Sequence, residues 1–209
     1  MEELRRFFDL HLPKVLQTMR EELDVHLFFH DIRHTLDVLE QAVAIGAREE
    51  VSPEELCLLK VAALYHDIGY IKGRKNHEDS SVKLFLQGAN QFGLNDEHKS
   101  RIVSCIRSTN FFLKPEGQLE KIMADANLDY LGREDFIQIE NTIYLEYLSD
   151  GDVTCRLEWY DRLLKYMQSH QFNTASSIIK RADKKMENLA YVKAMVKKYS
   201  LEAKGDKAA

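Results

Sequence analysis

Apolar residues recur at steps of three and four along almost the whole chain, the spacing of one face of a helix with about 3.6 residues per turn, and no run alternates as a half-buried strand does. The pattern predicts an all-α protein, a compact multi-helix bundle. An opening helix is expected over residues 2 to 20, with Pro13 as a kink or break. The next starts near Phe29 and runs to Ala47, with Leu36, Leu39 and Val43 on one stripe. Ser52, Pro53, Glu54 and Glu55 then form a start signal: a capping serine, a proline at the first helical position and acidic residues in the first turn. In the helix they open, Leu56, Leu59, Ala63 and His66 follow at steps of three, four and three, so an apolar face ends on a histidine. Further helices are expected at about 79 to 88, 96 to 108 and 118 to 131, with three more between 134 and 200. Leu119, Ile122, Ala126 and Asp129 repeat the same steps, with Asp125 one turn before Asp129. The stripe Trp159, Tyr160, Leu163, Leu164 and Met167 reads as core or as a homodimer contact rather than as a platform for bases.

Composition narrows the classes. With 209 residues, 44% of them hydrophobic, the chain can bury one sizeable core but not two enzymes, and three prolines and nine glycines leave little room for long loops. The expected organisation is an N-terminal helix over 1–24, a core over 25–135, C-terminal helices over 136–200 packing on it, and a disordered tail over 201–209. Cys57, Cys105 and Cys155 are odd in number and widely spaced, which suits reduced thiols rather than a disulfide framework or a paired-cysteine metal site. The first nineteen residues carry acidic groups and no uninterrupted apolar run, so they fit neither a secretory signal nor a membrane span, and a cytoplasmic protein is expected. Residues 180 to 209 hold nine Lys or Arg against four Asp or Glu. A solvated helix face accounts for that bias, and without interleaved aromatics a nucleic-acid partner is not expected.

The candidate chemistry lies in LYHDIGYIKG, residues 64 to 73, where His66 and Asp67 end an apolar run. Adjacent helical residues diverge by about 100°, so the two pair poorly with each other but can lean towards a shared point off the helix end. A divalent cation there offsets the buried carboxylate and accepts the neutral imidazole nitrogen. His34 in FHDIRHT and Asp125 in ADANLDYLG, each beside an apolar stripe, supply further ligand types on separate helices. Two histidines and two aspartates make a mixed nitrogen and oxygen site with room for water.

The ordered set His34, His66, Asp67, Asp125 resembles the H…HD…D signature of the HD superfamily of metal-dependent phosphohydrolases, over roughly residues 25 to 135 and through HTLDV, ALYHDIGY, NHEDS and DANLDYLGRED. The resemblance implies a helical bundle of the HD-domain type. It also implies one divalent ion per chain, of Mn, Mg, Fe, Co, Ni or Zn, held by those four residues, and water activated there, with Asp67 at the catalytic centre, to attack phosphorus. His30 precedes His34 by four residues, as in the YHNxxH element of cyclic nucleotide phosphodiesterases, which implies a general acid, with Phe29 in place of the tyrosine and Asp31 in place of the asparagine. His77 resembles the extra histidine of two-metal members. Ser108, Thr109, Asn110, Phe111 and Phe112 stand where those members carry more histidines, so a single ion is expected and His77 is assigned to a water or phosphate.

Lys72, Arg74 and Lys75, which lie within one stretch of four positions just after the HD pair, suit a phosphorylated substrate, or simply form an exposed basic loop; Arg33 and Arg133 are similar cases. Asp129 and Tyr130 reach the substrate, or Asp129 holds a ligand histidine. His11, His26, His98 and His170 read as surface histidines without a role. The expected function is hydrolysis of a phosphate ester of a small molecule, a nucleotide above others. The alternative is a non-catalytic HD module that binds a nucleotide or a partner protein around a structural metal.

Overall fold

The computed structural model describes residues 1–205. Helix α1 spans Glu2–Glu22, α2 Ile32–Arg48, α3 Pro53–Tyr65, α4 His77–Phe92, α5 Asp96–Arg107, α6 Gln118–Asn127, α7 Phe136–Ser149, α8 Arg156–Ser169 and α9 Ala175–Gly205, with short 3-10 turns at Ile68–Lys72 and Asp129–Gly132. No strand occurs among the described residues, so the protein is all-α as the spacing predicts. No helix among them is long and apolar enough to cross a membrane. The chain divides into two compact units, one of Met1–Asp129 with Asn173–Ser177, the other of Tyr130–Phe172 with the chain from Ile178 onward. Of the tail expected to be disordered, residues 201 to 205 continue α9, and residues 206 to 209 lie outside the described residues.

In the first unit α3 is the hub, packed against α1, α2, α5 and α6. Its start is the predicted one. Ser52 accepts from the Glu55 amide while the Glu55 carboxylate accepts from the Ser52 amide, a reciprocal cap with Pro53 in the first turn. The single apolar face expected for α3 is in fact nearly a full circumference, because Cys57, Leu58, Leu59 and Val61 to Tyr65 are all buried. A helix apolar all round belongs at the centre of a bundle, and its C-terminal end is sealed from water.

Two expectations for the flanking helices need correction. Pro13 does not break α1, which runs on to Glu22: the lost backbone bond is offset by burial of Leu4, Phe7, Val15 and Met19 on both sides of it. In α2 the inner face is Thr35, Val38, Ala42 and Ile45, whereas Leu36 of the expected stripe is 41% exposed. That rotation carries His34 inward.

After α3 the chain tightens into the first 3-10 turn, which lies directly on α4. A Cβ on Gly69 would stand 2.0 Å from the His77 carbonyl oxygen and 2.7 Å from the Ser81 amide nitrogen, so only glycine allows this approach. The Gly69 amide donates to Ser81 Oγ at 2.8 Å, which locks the turn in place.

The second unit contains α7 and α8 and most of α9. Glu140 accepts from Trp159 Nε1 and the Tyr160 hydroxyl, both at 2.8 Å, and Trp159, Tyr160, Leu163 and Met167 are buried, so their stripe is core. Asn188 donates to the carbonyls of Leu131 and Arg133 at 2.9 and 3.0 Å. Two of the histidines expected at the surface are buried, because burial follows from tertiary packing that local polarity does not report: His98 accepts or donates between Asn95 and Glu54, and burial and then Lys185 push His170 down to about 3.

Gly69→Ala is expected to lower stability on the order of 3 kcal/mol, because the methyl group must displace α4 backbone rather than a flexible side chain. Urea unfolding measures it; a loss below about 1 kcal/mol would mean that the turn is not held against α4.

Candidate metal centre

The end of α3 turns two ionisable side chains inward in succession. His66 keeps helical dihedrals, φ −56° and ψ −38°, and Asp67 leaves them at φ −112° and ψ 1°, which opens the 3-10 turn. The His66 Nδ1 lies 2.8 Å from the Ala63 carbonyl oxygen. A carbonyl only accepts, so Nδ1 holds the ring proton and Nε2 presents a lone pair. His34 enters from α2, whose first turn is fixed by Asp31: its carboxylate accepts from the amides of Arg33 at 2.7 Å and His34 at 3.3 Å.

These three residues converge. His66 Nε2 stands 3.1 Å from Asp67 Oδ2 and 3.4 Å from His34 Nε2, and His34 Nε2 stands 3.5 Å from the same carboxylate oxygen. All three side chains are buried, and each offers a ligand atom within 4.8 Å of the others. Asp67 Oδ2 is buried without a hydrogen-bond partner, despite its nearness to two imidazoles. A buried carboxylate oxygen left without a donor is costly, and a shared cation removes the deficit. Ligand atoms about 2.1 Å from one ion and at tetrahedral or octahedral angles stand about 3.0–3.4 Å apart, close to the separations here. The residues therefore fit a divalent metal.

The electrostatics agree with ligand duty. Burial pushes the His34 imidazole down to about 3, against the opposing charge of Asp67, so its ring is neutral near pH 7. For Asp67, burial favours the protonated form, but the neighbouring imidazoles of His66, His77 and His30 hold the carboxyl well below the usual range. For His77, burial again opposes the charge, and the carboxylates of Asp67 and Glu78 together with the Arg74 carbonyl win, raising its imidazole above the ordinary value.

Asp125 is not brought to this cluster. Its carboxylate accepts from the amide of Asn173 at 2.8 and 3.1 Å, the side-chain amide of Asn173 at 2.8 Å, the amide of Thr174 at 2.8 Å and the Thr174 hydroxyl at 2.7 Å. It thus clamps α6 to the turn before α9, where Thr174 Oγ1 in turn accepts from the Ser177 amide. Asn127, two residues on, places Oδ1 3.0 Å from His34 Nε2.

His30 lies beside the cluster, half-buried, its ring stacked on Tyr70 at 4.4 Å and 17° and edge-on to His34 at 5.8 Å. Tyr70 also faces the ring of His77 at 4.2 Å, and His77 Nε2 stands 3.4 Å from Asp67 Oδ1, the carboxylate oxygen turned away from His66. Lys72 is exposed and pairs with Glu22 at 3.7 Å; Lys75 is exposed and Arg74 half-buried on the loop between the 3-10 turn and α4. Asp129 is buried at the start of the second 3-10 turn, outside the ligand cluster. Arg33 pairs with Asp31 and Arg133 with Asp135, each at 2.6 Å, as helix-end partners. Asn127, Tyr70 and the capping Asp31 escaped the sequence reading; the amide in ADANLD and the tyrosine three residues after the HD pair were the available signals.

Fold and site together define a helical protein with a buried His, His, Asp centre suited to a divalent cation. The HD domain model matches residues 31–186, and the chain belongs to the HD domain family. The chain is similar in fold to a crystal structure of a predicted HD superfamily hydrolase from an uncultured Thermotogales bacterium, with 21% identity over 92% of each chain and a TM-score of 0.57. No curated protein matches.

Asp67→Asn removes the negative charge that His66 and His77 face, so the metal-free protein is expected to melt below the wild-type temperature and the rise in Tm with added Mn²⁺ to disappear. A Tm that still rises with Mn²⁺ as in the wild type would show that the carboxylate takes no part in metal binding.

Proposed function

We propose that the protein is a metal-dependent phosphohydrolase that cleaves a phosphate ester of a small molecule, with a nucleotide as the preferred substrate class. The observation that carries this reading is the orphaned, buried Oδ2 of Asp67 facing two imidazoles, in a chain of the HD domain family. A divalent ion bound there supplies a Lewis acid that activates water and neutralises phosphoryl charge. His34 and His66 offer neutral nitrogen lone pairs, and Asp67 offers the negative charge that makes binding favourable. The protein around them excludes bulk water, which strengthens each of these interactions.

His30 is the proposed general acid. An imidazole half open to solvent near neutral pH can pass a proton to a leaving oxygen and regain it from water, and stacking on Tyr70 holds the ring beside the centre. His77, whose Nδ1 lies 3.1 Å from the Arg74 carbonyl, is proposed to orient water or a phosphoryl oxygen from the far side of Asp67. Lys72, Arg74 and Lys75 are proposed to contact outer phosphate oxygens, with Lys72 contributing least because it is exposed and already paired. Asp129 is proposed to act from beneath the substrate. One observation favours the alternative of a non-catalytic module: among the described residues the buried cluster gathers three ligand side chains, His34, His66 and Asp67, rather than four.

Assays of phosphomonoesters, phosphodiesters and nucleoside triphosphates, with each divalent ion added back to chelator-treated protein, decide between them. Asp67→Ala is expected to abolish turnover, and His30→Ala to lower it by about 10²–10⁴ with metal occupancy unchanged. Bound metal with no turnover on any substrate would sink the hydrolase reading and leave the binding module.

A further inference from the structure

The geometry points to a second binding site, between the first turns of α1 and α3, that takes an aliphatic carboxylate. A cavity of about 340 Å³ opens there in the first unit. Phe8, Val43 and Leu56 give it apolar walls, and the charged side chains of Arg5, Asp9 and Lys60 also line it. Small-molecule sites are of this kind, mostly apolar, with a few polar groups and volumes from about 300 Å³ upwards.

The walls are preset by packing. Phe8 and Leu56 are half-buried against the core of the unit. Leu56 also lies over a glycine of α2: a Cβ on Gly46 would stand 2.9 Å from Leu56 Cδ2, so the leucine occupies room that α2 leaves free. Packed there, it does not swing out to fill the cavity.

The charges set the preference. Lys60 Nζ stands 6.0 Å from the centre of the Phe8 ring, over an apolar wall instead of beside an acid. Among the described residues neither Arg5 nor Lys60 forms an ion pair. Two such cations on an apolar cavity match a ligand that is apolar along its length and anionic at one end. Asp9, one turn after Arg5 on α1, reduces the lining to one net positive charge, which suits a monoanionic carboxylate above a phosphate dianion. The metal centre is elsewhere: Leu56 precedes His66 by ten residues, about 15 Å along α3 at 1.5 Å per residue.

Calorimetric titration of the full chain with decanoate, below its micelle-forming concentration, tests the site without reference to metal or turnover. One decanoate per chain is expected, bound about 10-fold more tightly than decanol. Octanoate, which buries two fewer methylene groups, is expected to bind about 10-fold more weakly than decanoate. Lys60→Met keeps the stem and removes the charge, and is expected to weaken decanoate about 5-fold, whereas Asp9→Asn is expected to tighten it about 3-fold; decanol binding changes little in either. No saturable binding of decanoate would overturn the site, and equal affinity for decanoate and decanol would overturn its preference for an anion. Decanoate binding that neither Lys60→Met nor Asp9→Asn alters would place the ligand elsewhere and overturn the assignment. Decanoate binding with the expected pattern in a protein that hydrolyses no phosphate ester would sustain the site while the hydrolase reading fails.

Discussion

An ionised carboxylate sealed at the end of a wholly buried helix is the constraint around which the first unit is arranged. Asp67 follows thirteen residues of α3 that bury almost every side of the helix, so no water-facing direction is open to it. Around it stand imidazoles from three places in the chain: His66 next to it, His34 from the capped start of α2, and His77 from the first turn of α4. Each of those positions depends on a further local device. Asp31 caps α2 and so sets the direction of His34; the Ala63 carbonyl fixes the tautomer of His66; the bare backbone of Gly69 lets the 3-10 turn lie close enough to α4 for His77 to reach across.

Most of the helices were legible because their signals are local. The Ser52 to Glu55 cap specifies where α3 starts through hydrogen bonds confined to four residues. The same is true of His66 and Asp67, whose polarity conflicts so sharply with the apolar run before them that only a compensating partner explains it. What escaped depends on contacts distant in sequence. The inner face of α2, with Val38 and Ala42 buried, is rotated from the stripe through Leu36 because α3 and α6 pack on this helix, and nothing within α2 says so. Pro13 is tolerated for the same kind of reason, since the buried residues that hold α1 together find their partners on other elements.

The end of α6 shows how far local signals reach. Asp125 and Asp129 lie on one face if α6 continues to residue 131, and the step pattern invited that reading. The helix ends at Asn127 instead. The last residue of a helix is positioned both by the helix and by the turn that follows, and the carbonyl of Thr109, brought in from the end of α5, selects the orientation of its amide.

Asp67 and Asp125 make a controlled comparison within one molecule. They are the same residue and both are buried, yet one keeps an oxygen without a hydrogen-bond partner while both oxygens of the other face donors. Asp125 meets two backbone amides that begin the turn into α9 and would otherwise lack acceptors, together with the side-chain donors of Asn173 and Thr174. Asp67 Oδ2 meets His66 Nε2, whose proton has been drawn to the opposite side of the ring by a backbone carbonyl. The difference between the two carboxylates therefore lies in what the protein leaves unsatisfied around each: every oxygen of Asp125 has its donors, whereas Asp67 Oδ2 has none, and a cation is the partner that such an oxygen can still take.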